Sequence, residues 1–329
     1  MPRIDFTRNE TLVGLVIVAF CLIATISDPS FLSMPTLTDL LRGGIVLGIF
    51  AVAALLVLIS GGIDVSFTAV AAFTMYSTAM LLNTYAPGVP WWGAFLLAMA
   101  IGAGLGAING LFIAGFGLPT LIVTLGTLSV FRGFMLTFIG QKQITTLPPG
   151  MREFGRMMII RGENADGSFY SLHAAFLVTV AVVILTWAIL HRTMLGRSIF
   201  AIGGSVESAR RIGINVRGTQ FFVYVYVGML AGLAGVIHAS MARVANPFDL
   251  VGLELSVIAA VVLGGARLAG GYGTLTGTLL GVALIVLVRN SLVVLGIPST
   301  WQSVAVGILI LIGTGLPAWQ AKRAAARAA

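Results

Sequence analysis

Residues 43–60 read GGIVLGIFAVAALLVLIS and residues 61–66 read GGIDVS: a long apolar run without one charged side chain, then a glycine pair and an aspartate. A helix needs roughly 20 mostly apolar residues to cross a hydrocarbon layer about 30 Å thick, because each residue rises about 1.5 Å. The run is of that length. Paired glycines loosen a helix, and non-helical backbone at membrane depth survives only in buried protein or beside a water-filled cavity. A span followed by such a break belongs to an integral membrane protein with a structured interior.

The rest of the chain agrees. Hydrophobic residues make up 58% of its 329 positions and charged residues 9%, against about a quarter charged in a soluble globular domain. Similar apolar runs fall near 11–27, 43–60, 63–84, 91–117, 119–140, 172–190, 219–242, 252–268, 273–297 and 300–319. The expected fold is all-α and integral to the lipid bilayer, with about ten transmembrane helices in a single domain covering 1–329. Three connections, 141–171, 191–218 and 241–251, are long enough to have a role. The one cysteine, Cys21, lies in the first run and excludes an intrachain disulfide.

Charge orients the chain. With ten spans both termini share a side with the 191–218 loop, and that side collects Arg3, Arg8, Arg192, Arg197, Arg210, Arg211, Arg217, Arg267, Lys322, Arg323 and Arg327, eleven of the nineteen basic residues. The 141–171 loop balances Lys142, Arg152, Arg156 and Arg161 with Glu153, Glu163 and Asp166. The positive-inside rule then puts both ends in the cytoplasm. The net charge of +8 is therefore a topology signal rather than a nucleic-acid one, and no nucleic-acid partner is expected. Arg3 and Arg8 before Leu12–Ala24 resemble a secretory signal, but Phe20 before Cys21 is a poor cleavage site, so the first span is read as uncleaved.

Glycine marks the packing. Gly102, Gly106 and Gly110 form a small-residue ridge in the fourth span, and Gly273, Gly277 and Gly281 form another in the ninth, a spacing that lets backbones approach closely where lipid offers no drive to associate. Spans four and nine cross in opposite directions, as an inverted repeat requires. Two segments break the helix pattern, Ser60–Ser66 and Gly264–Gly271. Asp64 lies in the first. An acid within a span costs about 2.5–3.5 kcal/mol on insertion scales, so it needs a partner or a cavity. Two compatible roles follow: a cap for the first amides of the third span, or a place near a substrate pathway with Ser66, Asn109 and the Gly264–Gly265 break.

Several chemistries are excluded. No phosphate-binding Gly-x-x-x-x-Gly-Lys-Ser/Thr motif exists, and the two lysines are Lys142 and Lys322. His173, His191 and His238 share no metal-ligand spacing, so no metal site and no cofactor on this chain are expected. No clustered nucleophile and base suggests a membrane enzyme. A proton-coupled carrier wants several acids inside spans, and only Asp64 and Glu254 qualify. What remains is a transporter driven from elsewhere.

The 191–218 loop shows where. Ser205 can cap a short helix with Glu207 in its first turn, Ala209 and Ile212 as an apolar side, Arg210 and Arg211 beside it, and Gly213 as its stop. A short cytoplasmic helix of this kind suits the groove of a partner protein. On the other side of the membrane, Arg243, Asn246, Asp249 and Glu254 follow the seventh span and are candidates to dock a delivery protein, or merely a solvated loop.

At four stretches the sequence resembles a known family. SGGIDVS at 60–66, PTLIVTLGTLSVFRG at 119–133, AIGGSVESARRIGINV at 201–216 and GLELSVIAAVVLGGARLAGGYGTLTGTLLG at 252–281 are similar to permeases of the bacterial ABC sugar importers, the family of the ribose transport permease. Phe67 and Thr68 follow Ser66 where that family has Val-Gly, and Ser256 and Val257 stand where it has Asp-Ala. The resemblance implies a type II-like importer permease in the bacterial inner membrane. It implies partners: a cytoplasmic ATP-binding ABC subunit holding ATP and Mg, an extracytoplasmic sugar-binding protein, and a second permease copy or sister permease. It also implies that Ser205–Gly213 meets the ATPase. A branched-chain amino acid permease is disfavoured by SGGIDVS. An ion-coupled secondary carrier would keep working without an ATPase.

Overall fold

The computed structural model describes residues 9–27, 29–164 and 167–294, with single positions at 301, 304, 307, 308 and 311. The expected tenth span, 300–319, otherwise lies outside the described residues, as do the two tails and their basic side chains. The helices are α1 (Asn9–Ser27), α2 (Met34–Ile59), α3 (Phe67–Tyr85), α4 (Trp91–Gly110), α5 (Thr120–Phe134), α6 (Pro149–Phe154), α7 (Ala175–Arg192), α8 (Met194–Gly204), α9 (Val206–Arg211), α10 (Val216–Ala242), α11 (Glu254–Leu263) and α12 (Leu275–Val294). π-Turns at Leu111–Gly115 and Met135–Ile139 continue α4 and α5. Five stretches, Met34–Ile59, Trp91–Gly115, Thr120–Ile139, Ala175–Arg192 and Val216–Ala242, are long and apolar enough to cross a membrane, and α1, α11 and α12 carry shorter apolar windows.

Two long helices form the middle. From Ile49 to Ile59 every side chain of α2 is buried, and α10 is buried along most of its length. A helix apolar all round needs neighbours all round. Those neighbours are α7, α10, α11 and α12 for α2, and α2, α3 and α4 for α10, with α4 laid along it. The α4–α10 contact is antiparallel and made by backbone. A Cβ on Gly102 would stand 2.2 Å from the Gly228 carbonyl oxygen, and one on Gly106 would stand 2.2 Å from that of Tyr224. On α12, Gly277 meets the Gly264 carbonyl and Gly281 that of Ala260 in the same way and these two pack α12 on α11, whereas Gly273 precedes the helix and lies against Leu55 and Ile59 of α2.

Four expectations need correction. Helix α2 begins at Met34 rather than at 43, because Ser33 caps it and accepts the Thr36 N–H; polar Thr36, Asp39 and Arg42 concealed that first stretch. The fold is not purely helical. In the 141–171 loop Met158–Glu163 (β1) pairs antiparallel with Phe169–His173 (β2), around a turn held by Asn164 and Ser168. The 191–218 loop holds a second helix, α8, capped by Thr193. The eighth span is also not a full crossing, since α11 has ten residues and rises only about 15 Å.

The start of α3 is internal as well. The Tyr224 hydroxyl lies against Gly62, while the Ala71 carbonyl lies against Gly235. Those two positions on α10 are about 16 Å apart along its axis, so the non-helical residues 62–66 climb between them and α3 begins partway up the bundle. A bond from the Thr68 hydroxyl to Glu254 sets the start of α11 at the same level.

Candidate substrate pathway and coupling surface

The break after α2 is a helix stop. Gly61 takes φ +85°, its N–H donates to the Leu58 carbonyl, and the Gly62 N–H donates to that of Val57. This paired closure wants a left-handed residue that glycine adopts without steric cost. Gly265, at φ +96°, ends α11 by the same two bonds, from Gly265 to Val262 and from Ala266 to Val261. Gly264 and Gly265 thus terminate α11 and pack it on α12.

The non-helical segment 62–66 carries the polar cluster. Asp64 Oδ1 accepts the Ser66 N–H at 2.6 Å and the Ser66 hydroxyl at 2.7 Å. Asn109, from α4, donates through Nδ2 to Ser66 Oγ at 2.8 Å. All three side chains are buried, and Asn109 Oδ1 has no partner. Asp64 therefore satisfies the Ser66 amide at the opening of α3, where the helix dipole favours a negative charge. Of the five expected pathway residues, Asp64, Ser66 and Asn109 form one network, while Gly264 and Gly265 serve the α11–α12 junction.

A polar cavity of about 260 Å³ lies below this network, lined by Ser60, Gly62, Thr120, Ser205, Gln220 and Tyr224 among others. Tyr224 donates to Thr120 Oγ1 at 3.4 Å, and Thr124 donates to the Ile63 carbonyl at 3.2 Å, tying α5 to the break. At the opposite end a cavity of about 580 Å³ opens between the first turns of α2, the last turn of α10 and the end of α12. Nothing in the sequence pattern marked Thr120, Tyr224 or Arg289, because each comes from a separate helix and is meaningful only through its neighbours.

Helix α9 is built as its sequence asks. The Ser205 hydroxyl accepts the Ser208 N–H at 3.2 Å, Glu207 pairs with Arg211 on the exposed side, and Gly213 and Ile214 close the helix onto Arg210 and Ala209. Its apolar side is split, however. Ala209 is 1% exposed and packs against Ile202 and Val216 of its own chain, whereas Ile212 is 74% exposed. Ala209 is not part of the presented face; Val206, Glu207, Arg210, Arg211 and Ile212 are. The preceding α8 is fixed by glycine: a Cβ on Gly203 would stand 1.7 Å from the Ile59 carbonyl oxygen and 2.5 Å from the Gly271 nitrogen.

The expected docking residues divide as well. Arg243 is exposed in a left-handed turn after α10. Asn246 donates to Asp249 Oδ1, and Asp249 Oδ2 lies 3.6 Å from His238 Nε2. Glu254 instead faces inward: its Oε2 accepts the Thr68 hydroxyl at 3.0 Å and the Gly252 N–H at 2.8 Å. Among the described residues no group of three or more His, Cys, Asp or Glu side chains could hold a metal ion.

Residues 36–313 match the family described as branched-chain amino acid transport system / permease component. The ribose import permease protein RbsC of Bacillus subtilis (strain 168) is 37% identical over 314 residues, 94% of each chain. The probable ABC transporter permease protein YphD of Escherichia coli (strain K12) is 36% identical, covering 92% of this chain and 88% of its own. The autoinducer 2 import system permease protein LsrC of Enterobacter sp. (strain 638) is 33% identical, with 92% and 85% covered. No solved structure matches the chain.

Proposed function

This chain belongs to the branched-chain amino acid transport system / permease component family, and on that premise we propose that it is the membrane-spanning permease subunit of an ABC importer for a monosaccharide or a related small polyol. The observation that carries the reading is the likeness to a ribose import permease, which runs the length of both chains. The protein is not itself catalytic. ATP and Mg reside on a separate ATPase subunit, a sugar-binding protein delivers substrate from outside, and a second permease, identical or sister, completes the pore. The chain sits in the bacterial inner membrane with both termini in the cytoplasm.

Within that frame the residues take roles. Ser205, Glu207, Arg210, Arg211 and Gly213 form or shape the surface that meets the ATPase. Asp64, Ser66 and Asn109 support the lining of the pathway at the level where α3 and α11 begin. Arg243, Asn246 and Asp249 face the delivery protein. The two long helices α2 and α10, each followed by a non-helical segment and a helix whose start lies at the level of the Thr68–Glu254 bond, support an inverted repeat.

The test is uptake. Deleting the gene in its native host and restoring it should abolish and recover energy-dependent uptake of one or more labelled sugars from a panel of pentoses, hexoses and polyols. Restored uptake of leucine, isoleucine or valine, with no sugar affected, would instead establish an amino acid permease, the reading named by the matched family's description.

A further inference from the structure

Two arginines and one carboxylate, Asp39, line the larger cavity, and Asp39 is in ion-pair contact with neither arginine, so the space holds a net positive charge. Arg42, on α2, and Arg289, near the end of α12, both line it. Neither has a carboxylate within ion-pair distance among the described residues, whose two ion pairs are Glu207–Arg211 and His238–Asp249. Arg289 is half-buried. Its Nη2 donates to the neutral Ser256 hydroxyl at 2.8 Å, and its Nε is buried without a partner. Glu254, two residues before Ser256, is already committed to Thr68 and Gly252. A guanidinium stays charged, is costly within a membrane protein unless paired, and matches a carboxylate with two parallel N–H bonds. Thr36, Asp39 and Asn290 line the same space and offer donors and acceptors for hydroxyl groups. At about 580 Å³ it falls in the size range of small-molecule sites.

We propose that this cavity receives a sugar acid, its carboxylate held by Arg289 and Arg42 and its hydroxyls by Asp39, Thr36 and Asn290. The inference rests on the importer reading and narrows its substrate class from neutral sugars to polyols bearing a carboxylate.

The experiment uses the full chain in nanodiscs of phosphatidylcholine. Gluconate and glucitol share a polyol chain and differ in one terminal carboxylate. Gluconate should bind at least about tenfold tighter by calorimetry, with the difference lost in Arg289→Gln and only partly kept in Arg289→Lys, which retains the charge but not the paired N–H bonds. Equal binding of the two, no binding of either, or a preference unaffected by Arg289→Gln overturns the proposal. So does retention of an anionic lipid by the wild type but not by Arg289→Gln when phosphatidylglycerol is included, which assigns the cavity to a headgroup. The host uptake panel separates the two levels of inference. Chain-dependent uptake confined to neutral sugars and untouched by Arg289→Gln removes the acid site and leaves the sugar importer standing, whereas no chain-dependent sugar uptake removes the importer reading itself.

Discussion

The Gly271 N–H donates to the Ile59 carbonyl oxygen at 2.9 Å, joining the loop after α11 to the last turn of α2. Gly203, near the end of α8, lies against both groups, and Gly270 packs on Gly61. Four glycines from three segments thus bring the two helix breaks and the base of α9 into backbone contact. A displacement of α8 is delivered directly to α2 and to the 264–274 loop.

This contact predicts a contrast between adjacent residues. Gly203→Ala places a methyl where only backbone atoms could yield, and overpacking of that kind costs about 1–3 kcal/mol or more. Gly204→Ala meets nothing within 4 Å and should be tolerated. Thermal melting of the two variants in detergent should separate them clearly, with Gly203→Ala the less stable. Equal melting temperatures would show that the glycine contact is loose.

The Asp64–Ser66–Asn109 network predicts coupled losses. Ser66→Ala removes the hydroxyl that donates to Asp64 and accepts from Asn109, leaving a buried amide without its partner at a cost of about 1–3 kcal/mol. Asn109→Ala removes the other end. In the double variant the penalties should fall short of their sum by at least about 0.5 kcal/mol, as expected for residues in one network. Additive losses in stability would mean that the bond between them contributes nothing.

How far such features were legible depends on how local they are. The breaks at 60–66 and 264–271, the cap at Ser205 and the stop at Gly213 were readable, because glycine pairs and capping hydroxyls act within a few residues. The inward turn of Ala209 was not. A helix of six residues has less than two turns, so its pattern cannot say which apolar side chain faces home. Glu254 could be read from sequence both as an acid inside a span and as a docking residue, because the partner that decides between them, Thr68, is 186 positions away in sequence. The β1–β2 hairpin was hidden between long hydrophobic runs that drew the reading toward helices, although Ile159, Ile160, Phe169 and Tyr170 are the β-branched and aromatic types that strands favour.

Glu254 yields the next prediction. Its hydrogen bond to Thr68 fixes the start of α11 against the start of α3, and a bond to a charged group contributes about 1.5–3 kcal/mol. Thr68→Val, nearly the same shape without the hydroxyl donor, should lower thermal stability by about that amount. Charge reversal at Arg243 and Asp249, which lie at the surface, should leave stability within about 0.5 kcal/mol while weakening association with a binding protein at low salt. An unchanged melting temperature in Thr68→Val would assign Glu254 to the docking surface after all.

The last prediction concerns α9 and follows from the split between Ala209 and Ile212. Ala209 is enclosed by Ile202 and Val216, so Ala209→Trp should displace α9 and lower the amount of folded permease, and any loss of ATPase contact would be secondary. Ile212 is exposed beside Arg210 and Arg211. An exposed apolar side chain flanked by charges contributes nothing to its own fold but can bury itself in a partner's groove. The Glu207–Arg211 pair is exposed at both ends and supports the helix by only about 0.3–0.5 kcal/mol, so exchanging its charges leaves the permease folded. Ile212→Glu, and separately Glu207→Arg with Arg211→Glu, should therefore keep normal abundance in the membrane. Each should cut co-purification of the ATPase subunit and sugar-stimulated ATP hydrolysis by at least about tenfold, equivalent to roughly 1.4 kcal/mol of lost contact. Full stimulation in both variants, with normal uptake, would place the ATPase contact away from α9.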